Sequence, residues 1–144
     1  MCFNKMMDNY VATTRWIEKF MQPVLLFVIR FWLARIFWYS GLVKISSWQS
    51  TVFLFREEYR VPLFSAEWAA FLSTAFEIVC PILLVLGLLT RFATLPLLVM
   101  IGFIQYIYPD VMETSYWVML FGVLLCFGPG KISIDAWLKK KLHQ

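Results

Sequence analysis

Charge is scarce in this sequence, and that scarcity excludes more than any motif it carries. Only 15% of its 144 residues are Asp, Glu, Lys or Arg and 61% are hydrophobic, whereas a soluble domain has about 25% charged residues. Too little polar surface exists to wet the chain all round, so lipid is its natural solvent. Histidine is nearly missing, with His143 alone in the tail. Cys2, Cys80 and Cys126 lie far apart without a C-x-x-C pair. An odd cysteine count rules out full intrachain pairing, and no zinc-like spacing exists. Haem, flavin and iron–sulfur ligand patterns are lacking too, so the sequence requires no metal or cofactor. Internal repeats and low-complexity segments are absent, and the first apolar run lacks the small-residue cleavage site of a secretory signal. The net charge of +4 flanks apolar runs instead of forming a recognition helix. It therefore argues against nucleic acid and for anionic lipid headgroups.

What is present is a set of apolar runs. Residues 1–22 mix charge with Trp16 and Phe20 and predict a short interfacial lead-in helix. Four spans follow: Pro23–Ile45, Glu67–Leu89, Phe92–Tyr108 and the short Ser115–Phe127. A membrane helix needs ~20 residues, so the last span either thins the bilayer or leaves the Gly128-Pro129-Gly130 turn covered by protein. Residues 23–130 thus form one four-helix domain, and residues 131–144 a basic tail.

Eight of the thirteen Lys and Arg residues lie before span one, between spans two and three, or after span four; Lys44, Arg56 and Arg60 lie on the other side. The positive-inside bias puts both termini in the cytoplasm. In the first outer loop Trp48, Val52, Phe55 and Tyr59 recur at i, i+4, i+7 and i+11, which predicts an amphipathic helix, either a surface connector or a lid. The expected fold is all-α: an integral-membrane four-helix bundle with cytoplasmic termini.

Within the spans, ionisable residues cost several kcal/mol unless paired or wetted, so they mark helix locks or working sites. Arg30 and Arg35 lie in span one and Glu77 in span two. Arg30, Ala34, Phe37, Gly41 and Lys44 share one helical face, and Arg35 lies about 140° around from Arg30. Measured from Pro23, Arg30 is ~10 Å and Arg35 ~18 Å deep at 1.5 Å per residue. Depth pairs Glu77 with Arg35; the face arrangement keeps Arg30 open. The carboxylate is then either a structural ion-pair partner or a ligand or proton site. Ser73, Cys80 and Pro81 lie within about a turn of it, and Pro81 frees a backbone carbonyl nearby. At the outer mouth, Lys44, Trp48, Gln105 and Tyr106 form a candidate site for an apolar ring compound such as a quinone, against the alternative of an ordinary aromatic belt.

Arg30…Phe37…Gly41-Leu42-Val43-Lys44 resembles the DoxX family pattern of arginine, phenylalanine and glycine-x-x-lysine. Glu77, then Leu83-Leu84-Val85-Leu86-Gly87-Leu88-Leu89-Thr90-Arg91 through Met100, resembles its second and third helices. Gly128-Pro129-Gly130-Lys131-Ile132-Ser133-Ile134-Asp135 is similar to the closing segment of a bacterial subgroup. The likeness covers residues 25–137. Many members carry Gly-Gly where this chain has Cys80-Pro81. The resemblance implies a four-helix inner-membrane protein. Some relatives are subunits of a thiosulfate:quinone oxidoreductase, and others are associated with oxidative-stress or thiol-handling membrane complexes. Three functions follow as expectations. One is a membrane subunit of a redox complex, binding quinone near Lys44, Glu77 and Arg30 with a redox partner protein. The others are a non-enzymatic assembly protein and a small transporter, which at this size needs a homo-oligomer to enclose a path.

Overall fold

A computed structural model of the chain describes residues 2–59, 65–110, 112–130 and 132–142. Helix α1 runs over Cys2–Ser46 and α2 over Trp48–Leu54, which continues into a π-helical turn at Phe55–Tyr59. Helices α3 (Ala66–Leu86), α4 (Thr90–Ile107), α5 (Met112–Phe127) and α6 (Ile134–Leu142) complete the chain, and no strand occurs among the described residues. Arg60, Lys131 and His143, used in the sequence reading, lie outside them.

Helices α1, α3, α4 and α5 form the bundle, with α1 on α3, α3 on α4, α4 on α5 and α5 back on α1. Leu33, Leu84, Leu97, Ile101, Phe121 and Leu124 fill its centre with no exposed surface. Phe37 packs edge-on against both Phe121 and Trp117, a geometry that aligns the positive edge of one ring with the negative face of the next. The outer faces carry Phe31, Trp32, Val43, Phe71, Val99 and Met119, all more than half exposed. Such an apolar exterior is stable only in lipid. Helices α1, α3 and α4 are long and apolar enough to cross a membrane, and α5 is a shorter apolar helix.

Local chemistry sets the boundaries. Helix α3 ends at Gly87, whose φ of +66° allows Leu88 N–H to bond Leu83 O and Gly87 N–H to bond Leu84 O, the two bonds that close a helix through a left-handed glycine. Span two is therefore shorter at this end than the apolar run, which continues to Leu89. The short α5 ends in a partly covered turn: Gly128 is buried with the Arg91 guanidinium beside it, and the half-buried Gly130 lies against Leu26.

The lead-in expected over residues 1–22 is not a separate element. Helix α1 passes through Pro23 without a break; proline removes one backbone hydrogen bond, and the turns on either side carry the helix through. The loop helix expected over Trp48–Tyr59 is formed by α2 and its π-turn. Phe55 packs with Ala69 and Ala70 on α3, and Val52 and Tyr59 are half-buried beside them. This segment covers one end of the bundle, here called the α2 end; the opposite end is the Gly87 end.

Candidate functional site

Gly41 determines how closely α1 and α3 approach. A Cβ there would stand 2.8 Å from Ile78 Cδ1 and 3.2 Å from Glu77 Cβ, so a methyl fits only if the Ile78 side chain shifts, and anything larger pushes on α3 at Glu77. One turn further along the same face, Lys44 reaches the Glu77 carboxylate. Its Nζ lies 2.7 Å from Oε1 and donates a second hydrogen bond to Ser73 Oγ at 2.9 Å. Ser73 in turn donates to Met100 Sδ on α4 at 3.2 Å. Glu77 is 1% exposed. Its Oε2 is buried without a hydrogen-bond partner, although Ser40 borders the carboxylate.

The π-turn closes over this pair. The Lys44 ammonium lies over the Phe55 ring at 5.7 Å. Tyr59 packs against Phe55 and, across the bundle mouth, against Phe103. Burial, then the charges of Glu58 and Glu77, push the Tyr59 phenol above its usual pKa. The Tyr108 hydroxyl donates to Glu58, which ties the turn to the end of α4 and pushes the Tyr108 pKa up to about 12.

The structure corrects the expected partner of Glu77: it is Lys44, and neither Arg35 nor Arg30. The reason is register. Gly41 lies opposite Glu77, so in antiparallel helices Arg35 is level with Leu83 and Arg30 with Leu88, next to Gly87. Only Lys44 is both near in height and on the facing side. Arg30 is 1% exposed at the Gly87 end, where its Nη2 donates to Ile132 O. It passes Gly87 so closely that a Cβ there would stand 2.1 Å from Nη1. Arg35 lies on the outer side of α1 over the Tyr39 ring.

The predicted outer-mouth site is not assembled either. Lys44 turns inward to Glu77. Trp48 is partly exposed at the start of α2, and Tyr106 is 85% exposed on the outer face of α4. Gln105 donates to Pro109 O in its own loop. Side chains on three helices that turn to Glu77, to the exterior and to the Pro109 loop do not converge on one ligand.

Sequence reasoning missed two things. One is a contact: it placed Phe55 and Tyr59 on a loop helix, but not beside the Lys44–Glu77 pair. The other is Asp135, whose carboxylate accepts from Leu89 N–H at 3.1 Å and Thr90 N–H at 3.4 Å and so caps α4, while Asp135 N–H bonds Gly87 O. Ser133 Oγ accepts from Ala136 N–H at 3.1 Å. This Ser-x-x-Ala start ahead of a basic, amphipathic stretch is a readable N-cap signal, but nothing local announces that Asp135 caps a different helix.

Chemically, the buried pair offers one open acceptor, Oε2. It also offers one N–H of Lys44 that makes no hydrogen bond among the described residues, since an ammonium has three donors. Donor and acceptor lie beside the aromatic rings of Phe55 and Tyr59. Cys80, one turn from Glu77, is buried and free, and Cys126 is free and exposed.

Comparison with protein families matches DoxX over residues 25–109, the stretch from the first buried turns of α1 through α4 that contains Lys44 and Glu77. A Haemophilus influenzae protein described as uncharacterized is 32% identical over 131 positions, covering 81% of this chain and 85% of that protein. No solved structure matches. With more than half its length matched and the four-helix architecture in place, this multi-pass membrane protein belongs to the DoxX family.

Proposed function

We propose that this chain is the membrane subunit of a redox-associated complex of the bacterial inner membrane, with the Lys44–Glu77 pair as its quinone-binding site. The observation that carries this reading is the orphaned Oε2 of Glu77. A buried acceptor without a partner costs about 1–3 kcal/mol, and a hydroxyl of the quinol form donating to it removes that cost. The Lys44 ammonium keeps one N–H without a hydrogen bond among the described residues and donates to a ring oxygen, the hydroxyl oxygen of the quinol or the carbonyl of the quinone. Phe55 and Tyr59 supply stacking surface for the ring. Electrons come from a partner protein or reside on the quinone, because the chain carries no redox ligand set. A thiol- or sulfur-linked partner fits the same scheme, with the chemistry outside this chain: Cys80 is buried among apolar side chains, which makes a thiol inert. Both termini lie in the cytoplasm in this reading, since the basic flanks of α1, Arg91 and the basic α6 share the Gly87 end.

The test is mild-detergent purification from native membranes followed by mass spectrometry of extracted quinones. Wild type is expected to retain quinone near one per chain, and Glu77→Gln to lose it while still inserting and folding. Equal retention in both, or none in either, removes the reading.

A second reading is an assembly protein whose Lys44–Glu77 pair only locks α1 to α3. The complete 2.7 Å bridge favours it, as does the exposed Trp137, Lys140 and Lys141 surface of α6, which suits recruitment of another protein at the membrane surface.

A further inference from the structure

Between the outer sides of α1 and α3 runs a groove of about 370 Å³, lined by Ala34, Arg35, Trp38, Pro81, Ile82 and Val85 among others. That volume lies within the range of small-molecule sites, about 300–1,000 Å³. Arg35 is its one charged residue. Its guanidinium is exposed and stacks on Tyr39, and it makes no ion pair or hydrogen bond among the described residues. Arg30, one and a half turns earlier, has a protein carbonyl to bond. Arg35 has none, yet it sits on a membrane-spanning stretch, where a bare cation is costly.

Register fixes its depth. Level with Leu83, Arg35 lies four residues inside Gly87, about 6 Å at 1.5 Å per residue. The N-terminal part of α1 leads to the Gly87 end. The Arg35 guanidinium lies over the Tyr39 ring on the lipid-facing side of α1, and its long stem gives it the reach to meet a headgroup from the Gly87 end. Its planar fork of donors matches a phosphate. To either side of it the groove wall is apolar, from Phe31 and Leu86 near the Gly87 end to Trp38 and Pro81 farther in, the surroundings an acyl chain requires.

We infer that this groove binds one membrane phospholipid, with the phosphodiester on Arg35 and an acyl chain laid between α1 and α3. The recognised chemistry is the phosphate, shared by phosphatidylglycerol and phosphatidylethanolamine. The site is independent of the quinone reading: it lies on a different face of α1 and nearer the other end of the bundle.

The test is native mass spectrometry of the full chain in mild detergent, titrated with phosphatidylglycerol, phosphatidylethanolamine or a diacylglycerol of the same acyl chains. Wild type is expected to bind both phospholipids about tenfold more tightly than Arg35→Met does, with Arg35→Lys in between. Diacylglycerol is expected to bind both forms equally weakly. Ile82→Trp keeps the charge and fills the groove from its exposed wall, and it is expected to lower phospholipid binding as well. That arm decides the matter if Arg35→Met does not fold. Phospholipid binding unchanged by Arg35→Met and by Ile82→Trp overturns the inference. So does a second copy of the chain occupying the groove in place of lipid.

Discussion

Lys44 and Glu77, thirty-three residues apart, meet at 2.7 Å across the α1–α3 contact one turn beyond Gly41. The pair joins the two helices, and it leaves one carboxylate oxygen buried without a partner. Fold and proposed function both turn on that arrangement.

Breaking the pair from one side strands a charge. Removing one partner of a buried ion pair typically costs about 3–5 kcal/mol; here the Lys44 side chain keeps 18% of its surface exposed, so the lower part of that range applies. Lys44→Met and Glu77→Gln are each expected to lower the detergent-solubilised Tm. The double variant is expected to lose less than the sum of the two, with a coupling of about 1–3 kcal/mol. A thermal-shift double-mutant cycle measures it; additive losses show that the pair is not coupled.

Gly41 is expected to tolerate little. Alanine meets Ile78 Cδ1 at 2.8 Å, the end of a flexible side chain, so it costs little. Leucine or valine must push α3 away at Glu77 and is expected to destabilise by about 1–3 kcal/mol. Tm values of the two substitutions, read together with quinone retention, check this: the larger residue is expected to lower both.

At the Gly87 end the tail is docked through Asp135 and Arg30. Asp135→Ala removes the acceptor for Leu89 and Thr90 N–H and is expected to cost about 1 kcal/mol and to free α6 for proteolysis. Gly87→Ala meets both a φ of +66° and the Arg30 guanidinium. It is expected to cost more, about 1–3 kcal/mol. Limited trypsin digestion at Lys140 and Lys141, timed by mass spectrometry, ranks the two.

The cap over the α2 end carries a pH dependence. Tyr108 has its pKa raised by its bond to Glu58, so the folded cap holds that proton more tightly than the open chain does. The contribution is complete below the unfolded phenol value of about 10 and is lost as pH rises through the folded value of about 12. Hydrogen exchange in α2 is expected to speed up across that window beyond its intrinsic rise, and Tyr108→Phe to abolish the excess. An unchanged excess in the variant shows that the cap is held otherwise.

Most of the bundle was readable because each span declares itself by apolar length. Differences at the ends have local causes: Gly87 stops α3 before the apolar run does, and Pro23 is absorbed into α1, so the lead-in merges with the first span. Face was readable as well, since Arg30, Ala34, Phe37, Gly41 and Lys44 follow one helical period. Pairing was not. Depth counted from Pro23 placed Arg35 beside Glu77, whereas the register is set by the close approach at Gly41, a contact between distant parts of the chain. The placement of Tyr59 near Glu77 and of Asp135 under α4 likewise depends on how loops return to the bundle, which periodicity does not encode.

The most direct measurement exchanges the two charges. In Lys44→Glu with Glu77→Lys, the ion pair is restored but donor and acceptor trade helices. Thermal unfolding in mild detergent is expected to return close to wild type, while the quinone that wild type retains is not recovered. Recovery of both folding and quinone retention would show that the pair acts only as a lock between α1 and α3, and would contradict the assignment of this site to a ligand.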